Sequence, residues 1–288
     1  MKNLFYLMLL VFGVATFASC SKDDDDKESI SFTVKNDELS LNIYTFKKGD
    51  VVVINWGDGT ETEYTAVYEE YDSDEYTGEW DVWGEVYAKH DYEDEKTYKV
   101  TIKGAIRAID LESQNLTELD VTRCGELEGL LCNYNKLEKL DVSKCRRLRK
   151  LSCSNNELTE LDVTRCSALK NLSCNSNKLK TLDATGCSEL EELFCSNNEL
   201  DKLVVLGCSN LETLNCGDNK LKALDIKDCL LLESLLCYQN GFDKDALEAI
   251  FKALPECKKN DEGYLRCDWV ENLDESIAEK KNWNVSAY

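Results

Sequence analysis

Between Ile106 and about Phe251 one pattern returns every 21 residues, and its register never slips. Written from Leu127 the unit reads LEGLLCNYNKLEKLDVSKCRR. It recurs from Leu148, Leu169, Leu190 and Leu211, with weaker copies from Ile106 and Leu232. One cysteine column runs Cys132, Cys153, Cys174, Cys195, Cys216, Cys237, and a second runs Cys124, Cys145, Cys166, Cys187, Cys208, Cys229. Asn135, Asn156, Asn177, Asn198, Asn219 and Asn240 keep the same step, and only the first copy departs, with Gln114. A strict period of this length means a solenoid of stacked units.

The chemistry of one unit explains why it must be stacked. Leu-x-Cys and Leu-x-Val are period-two fragments, so each coil is expected to hold two short strands joined by turns. Five large aliphatic side chains contribute roughly 1.5 to 3 kcal/mol each when fully buried, against an ordering cost of about 1 to 2 kcal/mol per backbone residue. A single coil therefore cannot stand alone. Seven coils at a strand spacing of about 4.8 Å make a column roughly 30 Å long, with inward side chains in ladders. The asparagine is then a turn device, bonding peptide groups that leave the strand and would otherwise be buried without partners.

The motif L-x-x-L-x-C-x-x-N-x-L-x-x-L-D-V-[ST]-x-C resembles the cysteine-containing 21-residue leucine-rich repeat of internalin-J-like surface proteins, over about half of the chain. The second cysteine column departs from that pattern. The resemblance implies a binding scaffold of the adhesin type and not an enzyme.

Ahead of the repeats, Lys2 precedes an apolar run from Leu4 to Phe17 that is too short to span a bilayer. Phe17-Ala18-Ser19-Cys20 resembles a bacterial lipobox, which implies a leader over residues 1–19, cleavage before Cys20 and acylation of that residue. Anchoring through more than one acyl chain is stable. An acidic tether follows over residues 20–28, and Ser21-Lys22-Asp23-Asp24-Asp25-Asp26 resembles the signal that sends some Gram-negative lipoproteins to the outer face of the outer membrane. The expected location is therefore the outer membrane, exposed at the cell surface; the plainer reading of the acidic run is a solvated tether.

Residues 29–104 change to alternating strands: Ile30 to Val34, Leu41 to Phe46, Val51 to Trp56 and Tyr98 to Ile102, the pattern of a small β-sandwich. Trp56-Gly57-Asp58-Gly59-Thr60, with His90-x-Tyr92 and Tyr98-x-Val100-x-Ile102, resembles the PKD-like module, a spacer and binding domain of surface proteins. The stretch from Glu61 to Tyr87 is longer than such a module needs. It holds ten acidic residues, no Lys or Arg, and Tyr64, Tyr68, Tyr71, Tyr76, Trp80, Trp83 and Tyr87. Two readings stand: a recognition surface, with Trp80 and Trp83 against sugar faces or an apolar partner, or cross-strand aromatic pairs on a wet sheet whose charges limit edge pairing. Calcium at Asp72, Asp74 and Glu75 lacks the EF-hand glycine and distal glutamate.

Ile106 follows the last sandwich strand so closely that the sandwich is expected to cover the open end of the column, which solenoids require. The solenoid then spans 105–242 and an α/β cap 243–288. In that cap Asp243 is expected to cap a helix with Leu247, Ile250, Phe251 and Leu254 on one face. A strand near Tyr264 to Val270 and a helix from Asp274 to about Lys281 follow. The fold class is mainly β: a leucine-rich-repeat solenoid between a small sandwich and an α/β cap.

Fifteen cysteines in an exported chain would ordinarily suggest disulfides. Neighbours within a column point the same way, however, so reduced and buried thiols are expected. Cys257 and Cys267 lie outside the columns, either bridged or as two free thiols. His90 is the single histidine and no C-x-x-C occurs, which argues against a zinc site and most histidine-based catalysis. The Asp120, Asp141, Asp162, Asp183, Asp225 column is too regular to be a catalytic pair. No cofactor is expected. The net charge of -22 argues against nucleic acid.

Function is then left to outward side chains between the fixed ones. Leu131, Tyr134, Phe194, Leu236 and Tyr238 have no core to fill if the strand alternation holds, and are the candidate partner surface. Isolated exposed apolar groups are the ordinary alternative. A basic cluster of Lys144, Arg146, Arg147, Arg149 and Lys150 suits an acidic ligand, the chain's own acidic segment, or simply solvent. The expected partner is a protein or a glycan at the cell surface, met by a monomer held to the membrane through Cys20.

Overall fold

The computed structural model describes residues 28–67, 84–94, 96–258 and 262–287. Cys20, Trp80, Trp83 and the Asp72, Asp74, Glu75 group lie outside them.

Six strands come first: β1 (Ser29–Val34), β2 (Glu38–Thr45), β3 (Val51–Asn55), β4 (Glu61–Thr65), β5 (Gly84–Asp91) and β6 (Tyr98–Gly104). Their alternation is strict. Leu39, Leu41, Ile43 and Thr45 of β2 point inward while Glu38, Ser40, Asn42 and Tyr44 point out. Ile30, Phe32, Ile54, Trp56, Val100 and Ile102 are likewise buried. The Trp56-Gly57-Asp58-Gly59-Thr60 turn is built by side chains. Asp58 accepts from Thr60 N at 2.9 Å and Thr60 Oγ1 at 2.6 Å, and Gly57, at φ 85°, leaves no room for a Cβ beside Lys99 O. His90 stacks on Trp56 at 4.7 Å and meets Asp58 Oδ2 at 2.7 Å, so the histidine is satisfied inside this turn. Burial raises the Asp58 pKa, but the bonds from Thr60 and His90 outweigh it and hold the carboxyl below its ordinary value.

The repeats follow as β7 (Ile106–Asp110), β8 (Glu118–Arg123), β9 (Gly129–Leu131), β10 (Lys150–Ser152), β11 (Asn171–Ser173), β12 (Thr181–Asp183), β13 (Glu192–Phe194), β14 (Lys202–Val204), β15 (Thr213–Asn215) and β16 (Ser234–Leu236). After them come helix α1 (Lys244–Ala253), β17 (Gly263–Cys267), the short helix α2 (Ser276–Glu279) and β18 (Trp283–Ala287). Asp243 caps α1 by accepting from Ala246 N at 2.9 Å, and Leu247, Ile250 and Phe251 turn inward.

The strands assemble into an eleven-stranded sheet in the order β18-β17-β16-β15-β13-β11-β10-β9-β7-β2-β5, a five-stranded sheet β4-β3-β6-β1-β8, and the pair β12-β14. From β7 to β18 the long sheet is parallel; β2 joins it antiparallel through Asn42↔Asp110 and Ile43↔Ile109. On the other side β1 pairs with β8 through Ser31↔Asp120 and Phe32↔Leu119. The first coil is thus hydrogen-bonded to the preceding strands through both of its own. The chain changes sheets at Gly104, φ 140°, where any Cβ would meet Val51 O at 2.4 Å.

The second strand of each coil is weaker than the sequence pattern suggests. It forms a ladder in β8, β12 and β14, whereas the corresponding stretches near Asp141 and Asp162 are irregular. The aspartate column makes the same turn in both cases: Ser143 N donates to Asp141 Oδ1 at 2.9 Å and Thr164 N to Asp162 Oδ1 at 3.0 Å, as Thr122 N does to Asp120 Oδ1 at 2.9 Å and Thr185 N to Asp183 Oδ1 at 2.8 Å beside the strands that do pair.

Inside, Leu130, Leu151, Leu172, Leu193, Leu214, Leu235 and Leu265 are all buried, as are both cysteine columns. Thiols of the second column donate to carbonyls of the coil before: Cys187 Sγ to Val163 O at 3.3 Å, Cys208 Sγ to Ala184 O at 3.5 Å. Burial pushes Cys153, Cys187 and Cys216 up to about 12, and Cys166 and Cys208 up to about 11.

Cys267 is not an outlier to the columns. β17 continues the sheet in register, Leu235↔Leu265, and Cys237 N donates to Arg266 O, so Cys267 extends the first column by one rung. No disulfide joins Cys257 and Cys267. Their sequence setting looked separate because α1 is inserted between β16 and β17, which hides the 21-residue step.

Candidate interaction surface

The asparagine column makes a flat, regular outer face possible. Asn177 Nδ2 donates to Cys153 O, Cys174 O and Asn175 O at 3.0, 3.1 and 3.3 Å, and its Oδ1 accepts from Leu158 N at 3.0 Å. The same set recurs at Asn156, Asn198, Asn219 and Asn240, so each amide ties one coil to the one before it. Every turn leaving the sheet is thereby alike, and the outward side chains fall into straight rows.

One such row crosses the sheet in register as Tyr87, Asn42, Asp110, Leu131, Ser152, Ser173, Phe194, Asn215, Leu236 and Arg266. Leu131, Phe194 and Leu236 sit in it as expected, each half-buried by its neighbours. They are not contiguous. At about 4.8 Å per strand, Leu131 and Phe194 are about 14 Å apart, and Phe194 and Leu236 about 10 Å.

Polar side chains fill the gap between Leu131 and Phe194. Asn133 Oδ1 accepts from Ser154 N at 2.7 Å and from Ser152 Oγ at 3.0 Å, and its Nδ2 meets the Glu112 carboxylate. Asn175 N donates to Ser154 Oγ at 3.1 Å, and Ser196 N to Asn175 Oδ1 at 2.9 Å. These groups are satisfied by one another, and Ser152 and Ser154 are buried.

Two sequence-nominated residues sit differently from the strand alternation. Tyr134 is in the turn, at φ 56°, in a column with Ser113, Asn155, Ser176, Asn197, Asp218 and Gln239, all left-handed. Its ring is 62 % exposed. Tyr238 does face outward, but its ring lies over Gly217, where a Cβ would come within 2.7 Å, and carries the Arg266 guanidinium at 4.4 Å. Tyr238 is therefore clamped within the protein and offers an edge, not a free face. Sequence reading missed Arg266, Tyr264 and Trp269, the last 64 % exposed, because the helical insertion broke the repeat that would have placed them on this sheet.

The lower margin of the face is charged and polarised along the column. Arg107 pairs with Glu128 at 3.0 Å, Arg149 approaches the same carboxylate, and Lys170 pairs with Glu191. In the same row beyond them stand Glu212 and Glu233, both exposed, and then Gly263. Of the basic cluster, Arg147 pairs with Glu126 in the turn and Arg149 with Glu128.

The repeats have counterparts in known proteins. Residues 188–228 match the family of leucine-rich repeats in two copies. The functional domain of InlJ from Listeria monocytogenes, which includes a cysteine ladder, is similar at 26% identity and TM-score 0.50, over 62% of this chain and 49% of that one. A leucine-rich-repeat protein of Leptospira interrogans is similar at 24% identity and TM-score 0.46, over 58% and 44%. The effector YopM of Yersinia pestis is similar at 21% identity and TM-score 0.38, over 59% and 58%. No curated protein matches the sequence. The chain spans about half the length of the InlJ domain, and the column of stacked coils is a leucine-rich-repeat solenoid.

Proposed function

We propose that the protein is a non-enzymatic, lipid-anchored binding protein of the cell surface that holds a protein partner against the outer face of its long sheet. One observation carries this reading. The fixed side chains are spent on the fold, asparagines on turns, aspartates on turn amides and cysteines on the core, while Leu131, Tyr134, Phe194, Leu236 and Tyr238 reach the surface from positions the repeat leaves variable. A leucine-rich-repeat scaffold is suited to protein interaction, and adhesion is the expected outcome. In this reading Cys20 carries the acyl chains, the acidic tether exports the chain to the outside of the outer membrane, and the strands of 29–104 act as a PKD-like spacer.

The test is binding by the full chain to arrayed extracellular proteins and polysaccharides in parallel. Retention of a protein, lost in at least one of the Phe194→Ala and Leu131→Ala variants with stability unchanged, is the expected result; binding indifferent to both substitutions removes this face. Anchoring is tested by metabolic labelling with an alkyne fatty acid, expected to vanish in Cys20→Ala. A second reading, glycan capture by a surface uptake system, draws on Trp80 and Trp83 within the acidic segment. It predicts polysaccharide retention that falls on Trp80→Ala and Trp83→Ala, and a flat glycan array rejects it.

A further inference from the structure

Resting on that protein-binding reading, we propose that the partner docks on the C-terminal half of the face, from β13 to β17, through a segment carrying Lys or Arg beside large apolar side chains.

The two halves of the sheet differ in what they present. From β7 to β11 the outward groups are mostly Asp, Glu, Asn and Ser that already bond one another, so a partner would have to break internal bonds to use them. From β13 to β17 the face presents Phe194, Leu236, Tyr238, Tyr264, Arg266 and, at the following turn, Trp269. Tyr, Trp and Arg are the residue types that dominate binding hot spots, and Phe194 and Leu236 provide apolar anchors between them. The Gly217–Tyr238–Arg266 stack holds one of these rings in place before any partner arrives, which lowers the ordering cost of binding.

The charge of the partner follows from the margin of the same half. Glu191 and Glu192 are engaged, by Lys170 and by Asn171 at 2.8 Å. One and two strands further on, Glu212 and Glu233 are exposed in the same row, about 5 Å apart. Among the described residues neither of them forms an ion pair. Two like charges at that spacing repel one another and are relieved by a cation. Those cations would sit within reach of the apolar side chains, so the fitting sequence is mixed basic and apolar and not purely basic.

An array of decapeptides in which cationic, anionic and apolar content vary independently, probed with the full chain, tests this. Peptides with both Lys or Arg and Leu or Phe are expected to bind at least tenfold more tightly than the same peptides with Glu in place of each cation. Glu212→Gln and Glu233→Gln together are expected to weaken that binding at least fivefold in 50 mM salt and little in 500 mM, where charges are screened. Phe194→Ser and Leu236→Ser should each cost tenfold with the thermal midpoint kept, whereas Leu131→Ser should change nothing. Equal binding of the acidic peptides, or loss in Leu131→Ser with Phe194→Ser intact, overturns this assignment while leaving protein binding in place. Retention of polysaccharides and of no peptide or protein overturns both.

Discussion

At the scale of single residues, the repeat shows its requirements most clearly where one copy departs from them. Six of the seven left-handed turn positions carry Ser, Asn, Asp or Gln, and Tyr134 alone is aromatic. A bulky side chain in that conformation costs about 1 to 2 kcal/mol relative to residues that tolerate it, and an exposed ring recovers little of this by packing. Tyr134→Asn is expected to stabilise the protein by about 1 kcal/mol, read as a higher urea midpoint; an unchanged or lower midpoint would show that the ring has a partner in the fold. The aspartates give a second residue-level prediction. Bonds from the Thr122, Ser143 and Thr164 side chains and backbone hold Asp120, Asp141 and Asp162 below the usual carboxylate range. Their charged forms thus favour the fold above the ordinary Asp range near pH 4, and that contribution is lost as the pH falls through their lowered values. A triple Asp→Asn variant should be less stable than the parent at pH 7, and the gap should close toward pH 2. A gap independent of pH would mean that these charges contribute nothing. The turn chemistry was legible in the sequence because it repeats; the handedness at Tyr134 was not, since tyrosine itself gives no sign of a left-handed turn.

At the scale of elements, the same step of 21 residues that made the coils legible concealed where they stop. Helix α1 and the loop after it lengthen the return from β16 to β17, so Leu265 and Cys267 fall out of phase in sequence while remaining in phase in space. That is why Cys267 read as part of a separate cap, and why Tyr264, Arg266 and Trp269 escaped notice as neighbours of Leu236. The thiol columns lead to a sharp expectation. Each thiol is shielded by the coils on either side, and burial has raised its pKa far above neutrality, so both access and thiolate are lacking. In the native reduced protein the twelve column thiols and Cys267 should react with N-ethylmaleimide at least a hundredfold more slowly than in urea, with half-buried Cys257 reacting first. Cys174→Ser should lower stability by about 1 to 3 kcal/mol, because a hydroxyl is buried where a small apolar group sat. Rapid labelling of the columns without denaturant would mean the coils do not close around their sulfurs.

At the scale of the whole molecule, the long sheet makes the amino-terminal strands and the coils one continuous surface. Tyr87 and Asn42 stand in the same row as Leu131, Phe194 and Leu236, so any partner spanning this face can touch both regions. The shared sheets also bear on stability. Without residues 1–104, the inner edges of β7 and β8 would lose their antiparallel partners, and Ile106, Ile109, Leu116 and Val121, all fully buried, would meet solvent at an open end. An apolar end with unpaired strand edges is a template for pairing with another copy, and terminal repeats of a solenoid need a cover for that reason. A chain beginning at Ala105 is therefore expected to aggregate or to lose order in its first coil, seen as fast hydrogen exchange at Ile109 and Leu130, while the intact chain protects both. If the truncated chain is instead a stable monomer with those amides protected, the preceding strands are a detachable spacer, and the face available to a partner begins at the first coil.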